Sequence, residues 1–341
     1  MKIPPVSIIV ANFNGEKYLS TCLNSIFDSL YPNFEVIIVD DGSSDRSVEI
    51  IKKFQKVDKR IVLLLNKKNI GAAARRNVAL KKVKGDVIIF LDNDTEVTKN
   101  WITELIKPLL REKSVGAVQA LLLDFNKRDQ IQMAGGLLIP HTGWLAPFYH
   151  GESYKKVKNI LSEREIVSIS AALAVKKEVI DTIGGFDEEE ARYTEDLDFC
   201  WRIWIAGYKI VLAPNAIVYH WTKSVKQRAS AKASYKQIYF HLAKNSIRSI
   251  FKNYEFTNVL KYLPISILIN IGRGLLFLFS QRRVDALVGS LEAIIWLFYN
   301  SSDTLKARGI VQASRKFGDK YLMRKIFTQE SLIQVYNKHF R

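Results

Sequence analysis

The sequence is poor in features that mark several protein classes. Among its 341 residues there are two cysteines, Cys22 and Cys200. They lie far apart and match neither a disulfide framework nor a zinc-binding spacing, which suits a reducing compartment. No GxGxxG motif follows the first predicted strand, so a dinucleotide cofactor is not indicated. The first residues, MKIPPVSIIVANFNG, lack the continuous apolar run of a signal peptide, and we expect a cytoplasmic protein.

Acidic residues are scarce in one part of the chain only. Residues 1–220 contain 30 Lys and Arg against 28 Asp and Glu, whereas residues 221–341 contain 21 against 6, a balance of +15. Such a basic region predicts an anionic partner, either nucleic acid or an acidic membrane surface. No nucleic-acid-binding module is recognisable, and the basic residues lie among long apolar segments. The pattern therefore favours a membrane surface and predicts no nucleic-acid partner.

Strand and helix patterns alternate in the front part of the chain. Continuous apolar runs between helices indicate parallel strands that are buried on both faces. The predicted class is α/β, a Rossmann-like sheet whose ligands bind beyond the carboxyl ends of its strands. The predicted strands are Val6–Ala11, Glu35–Asp40, Ile61–Leu65 and Asp86–Leu91, and the predicted helices are Glu16–Ser29, Ser44–Gln55 and Ala72–Lys82.

The run FLDND places two carboxylates at the end of the most apolar strand. In an extended segment, residues i and i+2 point to the same side, so Asp92 and Asp94 can converge on one partner. Their mutual repulsion favours a cation between them. The alternative is a helix N-cap or a polar turn, because aspartate is common in both.

Other strand ends carry polar or aromatic residues as well. Phe13 follows the first strand and is suited to stack on a base, with an ordinary core phenylalanine as the alternative. Asp40 and Asp41 follow the second strand, and Asp41 can accept a hydrogen bond from a base while a neighbouring serine caps the next helix. Arg75 and Arg76 open an alanine-rich helix and favour phosphate, although surface arginines are common on helices.

These motifs, in this order, resemble glycosyltransferase family 2, whose members are inverting enzymes with a GT-A fold. The resemblance covers about the first 225 residues, so we predict a GT-A domain over 1–225 and a mainly helical region over 226–341. The sequence looks most like non-processive enzymes that build surface polysaccharides, including rhamnosyltransferases, since it has no QxxRW motif. The motifs are SIIVANFNG, VIIVDDGSSD, NIGAAARRNVAL, FLDND, IGGFDEE, YTEDLDFCWRIWIAGYKI and APNAIVYH.

The resemblance implies a role for each matching residue. Phe13 would stack on the base and Asp41 would read it, while Asp196 would be the catalytic base, with helix capping as the alternative reading of that residue. The implied nucleotide-sugar ligands are Ala11, Phe13, Asp41, Arg76 near the diphosphate, Asp92 near the ribose, and Asn93; the implied metal ligands are Asp94 and His220; Glu195, Asp198 and Arg202 would lie on the acceptor side. Residues 188–192 depart from the family pattern, which leaves the acceptor open.

The resemblance also implies a reaction. We expect inverting transfer of a sugar from a nucleoside-diphosphate donor, with Mn²⁺ or Mg²⁺, to a lipid-linked or glycan acceptor at the inner face of the cell membrane. The first expectation for the donor is dTDP-rhamnose. The alternative is an integral membrane protein of glycan or polyprenyl-phosphate sugar assembly that uses another donor, such as UDP-glucose, UDP-galactose or GDP-mannose. The product would enter cell-surface polysaccharide. The sequence leaves the oligomeric state open.

The C-terminal region contains three helical patterns. Residues 232–252 place four basic side chains on one stripe, which predicts a basic helix on an anionic bilayer. The apolar run 262–280 is interrupted by Arg273, which favours a helix that is buried or dips into the membrane interface, with a spanning hairpin over 262–299 as the alternative. Residues 284–299 predict an amphipathic helix. The stripe is Lys236, Lys244, Arg248 and Lys252; the third pattern sets Leu287, Val288, Leu291, Ile294, Ile295 and Phe298 opposite Asp285 and Glu292.

Overall fold

A mixed sheet forms the centre of the molecule. The computed structural model describes residues 3–169, 171–221 and 235–339. The strands of this sheet are β1 (Val6–Asn12), β2 (Phe34–Asp40), β3 (Ile61–Leu65), β4 (Val87–Asp92), β5 (Thr95–Val97), β6 (Val115–Asp124), β7 (Ile131–Met133), β10 (Ala172–Lys176) and β11 (Lys209–His220). Strands β8 (Gly136–Leu138) and β9 (Leu145–Pro147) form a separate hairpin.

Helices cover both faces of the sheet and extend beyond it. In chain order they are α1 (Glu16–Phe27), α2 (Ser47–Val57), α3 (Ala72–Leu80), α4 (Trp101–Arg111), α5 (Tyr154–Val157), α6 (Lys177–Ile183), α7 (Glu195–Ile205), α8 (Tyr235–Asn253), α9 (Phe256–Gln281), α10 (Val284–Tyr299), α11 (Ser301–Ala313), α12 (Asp319–Lys325) and α13 (Leu332–His339), with a 3₁₀ turn at Glu188–Glu190.

The strand order is β3-β2-β1-β4-β10-β6-β11-β5, with β7 paired to β6. Strands β3, β2, β1 and β4 are parallel, as the sequence predicts, and their bounds agree with the prediction to within about a residue. The antiparallel strand β10 then separates β4 from β6. The GT-A-type mixed α/β sheet with a helical C-terminal region is therefore confirmed.

The strands bury alternate residues on opposite faces of the sheet. Ile8 and Val10 pack with α1, α2 and α4, whereas Ile9 and Phe90 pack with α3, α6 and α7. This alternation follows from the two-residue period of a strand. Apolar residues on both faces explain why β1, β2 and β4 read as continuous hydrophobic runs.

The C-terminal helices share one of these two cores. The ring centroid of Trp201 in α7 lies 4.7 Å from that of Tyr254 and 5.2 Å from that of Phe327. Phe327 also forms a bridge with Leu138 of β8. The helical region thus packs directly on the sheet domain. The predicted boundary at residues 225 and 226 lies outside the described residues and stays a prediction.

The basic stripe of α8 faces the protein interior. Lys244, Arg248 and Lys252 are buried, and the two latter residues pair with Asp187. Lys236 alone of the four is exposed, and it pairs with Glu292 at 2.7 Å. The prediction that this stripe lies on an anionic bilayer is therefore wrong, because acidic residues before α7 neutralise it. Residues 232–234 of the predicted stripe lie outside the described residues.

Helix α9 has its polar side turned inward and its apolar side turned outward. Within the described part of the chain it is the one helix long and apolar enough to cross a membrane, and 17% of its most apolar window is buried. Asn270 is buried and Arg273 lies 4.2 Å from the Trp144 ring, whereas Leu268 is 69% and Phe279 is 81% exposed. Of the two expectations for this helix, burial in a helical subdomain is wrong for this outer face, and insertion into the membrane interface stays a prediction.

Helix α10 shows the same inversion. The predicted helix is present, but its small residues Gly289 and Ala293 are buried and its large residues Ile295 and Phe298 are exposed. A Cβ atom added at Gly289 would lie 2.2 Å from the carbonyl oxygen of Lys236 in α8. Small residues therefore allow the two helix backbones to approach closely.

This close approach predicts a position-specific effect on stability. Gly289→Ala should lower the free energy of unfolding by about 1–3 kcal/mol, because the added methyl group meets backbone that cannot turn aside. The matched control is Gly309→Ala in α11, where nothing lies within 4 Å of the added Cβ. That change should raise stability by up to about 1 kcal/mol, since alanine has the higher helix propensity. Urea titration of both variants measures this, and equal effects would contradict the packing.

Candidate functional site

The parallel strands bring three motifs to one edge of the sheet. Asn12 at the end of β1 is aligned with Asp40 at the end of β2, and Ala11 is aligned with Asp92 at the end of β4. The carboxyl ends of neighbouring parallel strands form the crevice where such folds bind ligands. Ala11 itself is buried beneath this edge.

Asp92, Asp94 and His220 form a group that can hold a divalent ion. Strand β5 runs antiparallel to β11 with Thr95 opposite His220, which sets the histidine beside FLDND. The His220 Nε2 atom lies 3.2 Å from Asp94 Oδ1 and 4.0 Å from Asp92 Oδ2. The three potential ligand atoms lie within 4.8 Å of one another. The structure therefore brings these three predicted residues together.

The environment of His220 prepares Nε2 as a ligand. Its Nδ1 atom lies 2.7 Å from Oε1 of Gln132, an amide oxygen that accepts, so Nδ1 carries the proton. In the neutral ring, Nε2 then directs a lone pair toward Asp94, and a cation between them would remove the repulsion. Two carboxylates and one imidazole suit Mn²⁺ or Mg²⁺. Gln132, in the short strand β7, carried no recognisable sequence signal.

Arg76 connects the end of β4 to the start of α7. It donates to Glu195 Oε1 at 2.9 Å and to Asp92 Oδ1 at 3.1 Å, and its guanidinium is buried. Burial acts against its charged form, but Asp92 and Glu195 raise the pKa of Arg76. Burial raises the pKa of Glu195, and the charge of Arg76 opposes that effect. The predicted contact of Arg76 with a diphosphate stays a prediction.

Arg75 is a second candidate that the family resemblance did not assign. It donates to the carbonyl oxygen of Asn12 at 3.2 Å and lies 3.8 Å from Asp41. Its Nε atom is buried and makes no hydrogen bond. A buried guanidinium N–H without an acceptor is unfavourable, and this positive charge lies beside the ends of the first two strands.

Asp41 and Phe13 differ in how accessible they are. Phe13 is exposed, so its ring is available for stacking. Asp41 is fully buried and accepts from Asn66 Nδ2 at 3.0 Å and from the backbone N–H groups of Ile70 and Gly71. Base reading by Asp41 stays a prediction, and it requires the 66–71 loop to release one of these hydrogen bonds.

Asn93 is held by a short hydrogen-bonded chain. It donates to Asn12 Oδ1 at 2.5 Å, and Asn12 donates to Asp40 Oδ2 at 2.7 Å. A Cβ atom added at Gly15 would lie 2.1 Å from Asn93 Nδ2 and 2.2 Å from Asn12 Oδ1. Because glycine has no side chain, Gly15 leaves room for the hydrogen bond that joins the ends of β1 and β4. Asp40 is the final acceptor of this hydrogen-bonded chain.

The TED motif opens α7 beside Arg76. Asp196 lies in the first helical turn, where its Oδ1 accepts from the N–H of Leu197 at 2.9 Å. Thr194 occupies the N-cap position but makes no side-chain capping hydrogen bond. Ala191 and Tyr193, just before the motif, have positive φ angles of 37° and 85°. Non-glycine residues in this region store strain, which is frequent near functional sites.

Asp198 and Arg202 lie away from this edge. Arg202 donates to Asp198 Oδ2 at 2.8 Å, both side chains are buried, and Asp198 also pairs with Lys252 at 3.0 Å. The structure thus brings them into an ion cluster between α7 and α8 rather than to the metal-type group. Their predicted acceptor-side role has no exposed atom to support it and stays a prediction.

A second acidic group already contains a cation from the protein. Asp187, Glu190 and Asp198 bring their carboxylates close together, and the ammonium of Lys252 pairs with all three. Burial and the charge of Asp198 raise the pKa of Glu190 to about 8. Burial opposes the change, but Lys252 and Arg248 hold the pKa of Asp187 well below its usual value. This group is an internal ion cluster.

Comparison with known proteins decides the family. Residues 7–183, slightly more than half of the chain, match the model of glycosyl transferase family 2. The protein belongs to this family. The prediction of a family 2 glycosyltransferase is confirmed at this level, and the rhamnosyltransferase-like subtype stays a prediction.

Curated relatives match part of the chain. An uncharacterized protein, y4gI, of Sinorhizobium fredii is 30% identical over 64% of this chain and 24% of its own length. The putative teichuronic acid biosynthesis glycosyltransferase TuaG of Bacillus subtilis is 37% identical over 30% of this chain and 41% of its own length. The glycosyltransferase AglE of Haloferax volcanii is 25% identical over 64% of this chain and 67% of its own length. The chain thus spans less than half of the first two relatives.

Solved structures share the fold. TarS of S. aureus in complex with UDP-GlcNAc matches with a TM-score of 0.59 at 18% identity, covering 91% of each chain. The mannosyltransferase PcManGT of Pyrobaculum calidifontis, in complex with GDP-Man and Mn²⁺, matches with a TM-score of 0.52 at 19% identity, covering 99% of this chain and 87% of its own. At these identities the likeness shows the fold alone.

The contacts at Gly15 predict that one methyl group disturbs the strand-end site. Gly15→Ala should separate Asn93 from Asn12 and shift FLDND, because the new Cβ would collide with Asn93 Nδ2 and Asn12 Oδ1 in their present positions. We expect nucleoside-diphosphate affinity in the presence of Mn²⁺ to fall by about tenfold or more, as placement errors near 1 Å are costly. Isothermal titration measures it, with Gly309→Ala as the control that should leave affinity unchanged. Equal affinity in Gly15→Ala would contradict the arrangement.

Proposed function

We propose that the protein is a metal-dependent, inverting glycosyltransferase that uses a nucleoside-diphosphate sugar. The observation that carries the proposal is the Asp92, Asp94 and His220 group, which Arg76 connects to the start of the TED helix. Metal-type ligands and a candidate base are thereby held on adjoining elements at one edge of the sheet. The ion would stabilise the anionic leaving group, and the base would remove the proton of the acceptor.

The strand-end residues would bind the donor. Asp94, His220 and Asp92 would hold the ion, which supplies positive charge to the diphosphate leaving group. Phe13 would stack on the base, and Arg75, beside Asn12 and Asp41, would add positive charge to the donor site. Arg76 is enclosed by two carboxylates, so it would act on the diphosphate mainly by fixing Asp92.

Asp196 would act as general base on the acceptor hydroxyl. Inversion requires a group that removes the acceptor proton on the side of the sugar opposite the leaving group. A carboxylate in the first turn of α7, half-buried and close to the charge of Arg76, can accept that proton once the acceptor is bound. Glu195 is committed to Arg76 and would position the motif.

We propose dTDP-rhamnose as the first donor to test, with UDP-glucose, UDP-galactose and GDP-mannose as alternatives. The name of one relative, TuaG, refers to teichuronic acid biosynthesis and supports a role in cell-surface polysaccharide synthesis with a lipid-linked or glycan acceptor. Thermal-shift measurements with these donors, with and without Mn²⁺, distinguish them. The cognate donor should raise the melting temperature most, and only with the metal present.

The outer surface of α9 and α10 supports an attachment to the inner face of the membrane. Both helices expose large apolar residues, and one of these, Phe298, also lines an apolar cavity of about 370 Å³ between α8, α9, α10 and α11. Arg282 and Arg283 are exposed where α9 meets α10, in reach of anionic headgroups if the apolar face enters the bilayer. The spanning hairpin over 262–299 remains the alternative, and release by detergent but not by salt would favour it.

Two substitutions should separate metal binding from proton transfer. Asp94→Ala should abolish metal-enhanced binding of the nucleoside diphosphate, because the diphosphate charge is then uncompensated beside Asp92. Asp196→Asn should bind donor and Mn²⁺ almost normally while kcat falls by about two or more orders of magnitude, as expected for loss of a general base. Isothermal titration and a transfer assay report the two effects. An Asp196→Asn variant that lost donor affinity but kept its turnover would refute the base assignment.

Vesicle binding should depend on the outer apolar face. Phe279→Ser combined with Phe298→Ser should weaken binding to anionic liposomes, because each change removes an exposed aromatic side chain from that face. Val57→Ser is the matched control, since Val57 is 84% exposed but lies on α2 of the sheet domain. Anionic vesicles should bind more tightly than neutral ones, and salt should reduce the difference. Equal loss in both variants, or equal binding to both vesicle types, would count against this face.

A further inference from the structure

The segment formed by residues 187–193, which precedes the TED motif, is strained. Ala191 and Tyr193 adopt φ angles of 37° and 85°, in a region that non-glycine residues rarely occupy. Such a conformation persists only where surrounding contacts impose it. The contacts that hold this segment therefore decide where the first turn of α7, with Asp196, begins.

Helix α8 supplies a set of donors to the 187–193 segment, and we call it the α8 donor cluster. Asn245 donates through Nδ2 to the carbonyl oxygens of both Glu190, at 2.8 Å, and Arg192, at 2.9 Å. These two carbonyls flank the strained Ala191. The other members are Lys244, which donates to the carbonyl oxygen of Glu189, Ser249, which donates to Glu190 Oε1 at 2.9 Å, and Lys252, which pairs with Asp187 and Glu190.

Helix α3 contacts the same segment from the other side. The N–H of Ala73 donates to the carbonyl oxygen of Ala191 at 3.3 Å, and a Cβ atom added at Gly71 would lie 3.1 Å from that oxygen. Arg75 and Arg76 follow within the same helix. The 187–193 segment thus lies between the donors of α8 and the helix that carries the site arginines.

Asn245 is buried, and its uncharged side-chain amide donates both hydrogen bonds to the backbone of the segment. Loss of these contacts would remove the Asn245 donor from the carbonyl of Arg192 and would leave the carbonyl of Glu190 with the backbone N–H of Arg192, while the ion cluster around Lys252 stays in place. The effect of replacing Asn245 on the segment can therefore be separated from the effect of breaking the buried ion pairs.

We propose that Asn245, supported by the other members of the α8 donor cluster, is a positioning residue for the transfer reaction. By fixing the carbonyls on both sides of Ala191, it sets the strained turn that directs Asp196 toward the acceptor. This inference rests on the proposed base role of Asp196. It also assigns a task to the helical region, because the same helix pairs through Arg248 with Asp303 of α11 and through Lys244 with the Trp296 ring of α10. The helices with the outer apolar face are thus connected to the position of the base.

Asn245→Ala is the primary test, and Lys236→Ala is its control. Lys236 lies on the same helix, and its exposed side chain pairs with Glu292 of α10. In Asn245→Ala we expect kcat to fall by about tenfold or more while donor affinity stays within about twofold of the parent value, since the base and not the donor site is displaced. Amide hydrogen exchange should accelerate over residues 189–197 and stay unchanged in β1, β2 and β4.

Each outcome decides the proposal. An Asn245→Ala variant with the kcat of Lys236→Ala would overturn it, and so would a parallel loss of kcat, donor affinity and exchange protection throughout the sheet. If Asn245→Ala does not fold, Lys244→Met, which removes a single donor at the edge of the cluster, takes its place. This variant should show a smaller fall in kcat, again with donor affinity close to the parent value. A parent protein that binds donor but transfers no sugar would refute the proposed function, whereas the exchange pattern would still report whether α8 holds the segment.

Discussion

The arrangement of the site depends on the buried guanidinium of Arg76. It is bonded to Asp92 at the end of β4 and to Glu195 at the start of α7. A buried cation is tolerable only with such partners, and removal of one member of a buried pair typically costs about 3–5 kcal/mol. The pair of bonds therefore fixes the distance between the metal-type group and the TED motif. These two bonds give Arg76 a structural role at the position that the family pattern assigns to it, although its guanidinium is not exposed to a ligand.

Much of the sheet domain could be predicted from the sequence, because its signals are local. The apolar runs of β1 to β4 and the polar residues that follow them report strand position and strand end without knowledge of the rest of the fold. Gln132 could not be assigned in this way, and the sequence pointed to Arg75 only as an arginine that favours phosphate. Gln132 acts only because β7 pairs with β6 near the end of β11, and the unpaired Nε of Arg75 is a result of packing. The antiparallel strand β10 likewise depends on long-range pairing.

The C-terminal region shows where periodicity misleads. The basic stripe on α8 suggested a basic surface, but its residues Arg248 and Lys252 neutralise Asp187, Glu190 and Asp198 inside the protein. Periodicity gave the helices correctly but not their orientation, since a helix that is apolar on one side can direct that side inward or outward. In α9 and α10 the small and polar residues pack inward and the large apolar residues point outward. The hydrophobic effect disfavours such exposure in water, and exposed apolar faces of this kind are typical of surfaces that contact a membrane or another protein.

The central claim is that Asp92, Asp94 and His220 hold a divalent ion together with the donor. The most direct measurement is the anomalous scattering of Mn²⁺ in crystals grown with a nucleoside diphosphate. The account predicts an anomalous peak within coordination distance of the Asp94 carboxylate and His220 Nε2. A peak among Asp187, Glu190 and Asp198, or no peak between Asp94 and His220 when the nucleotide is bound, would contradict it.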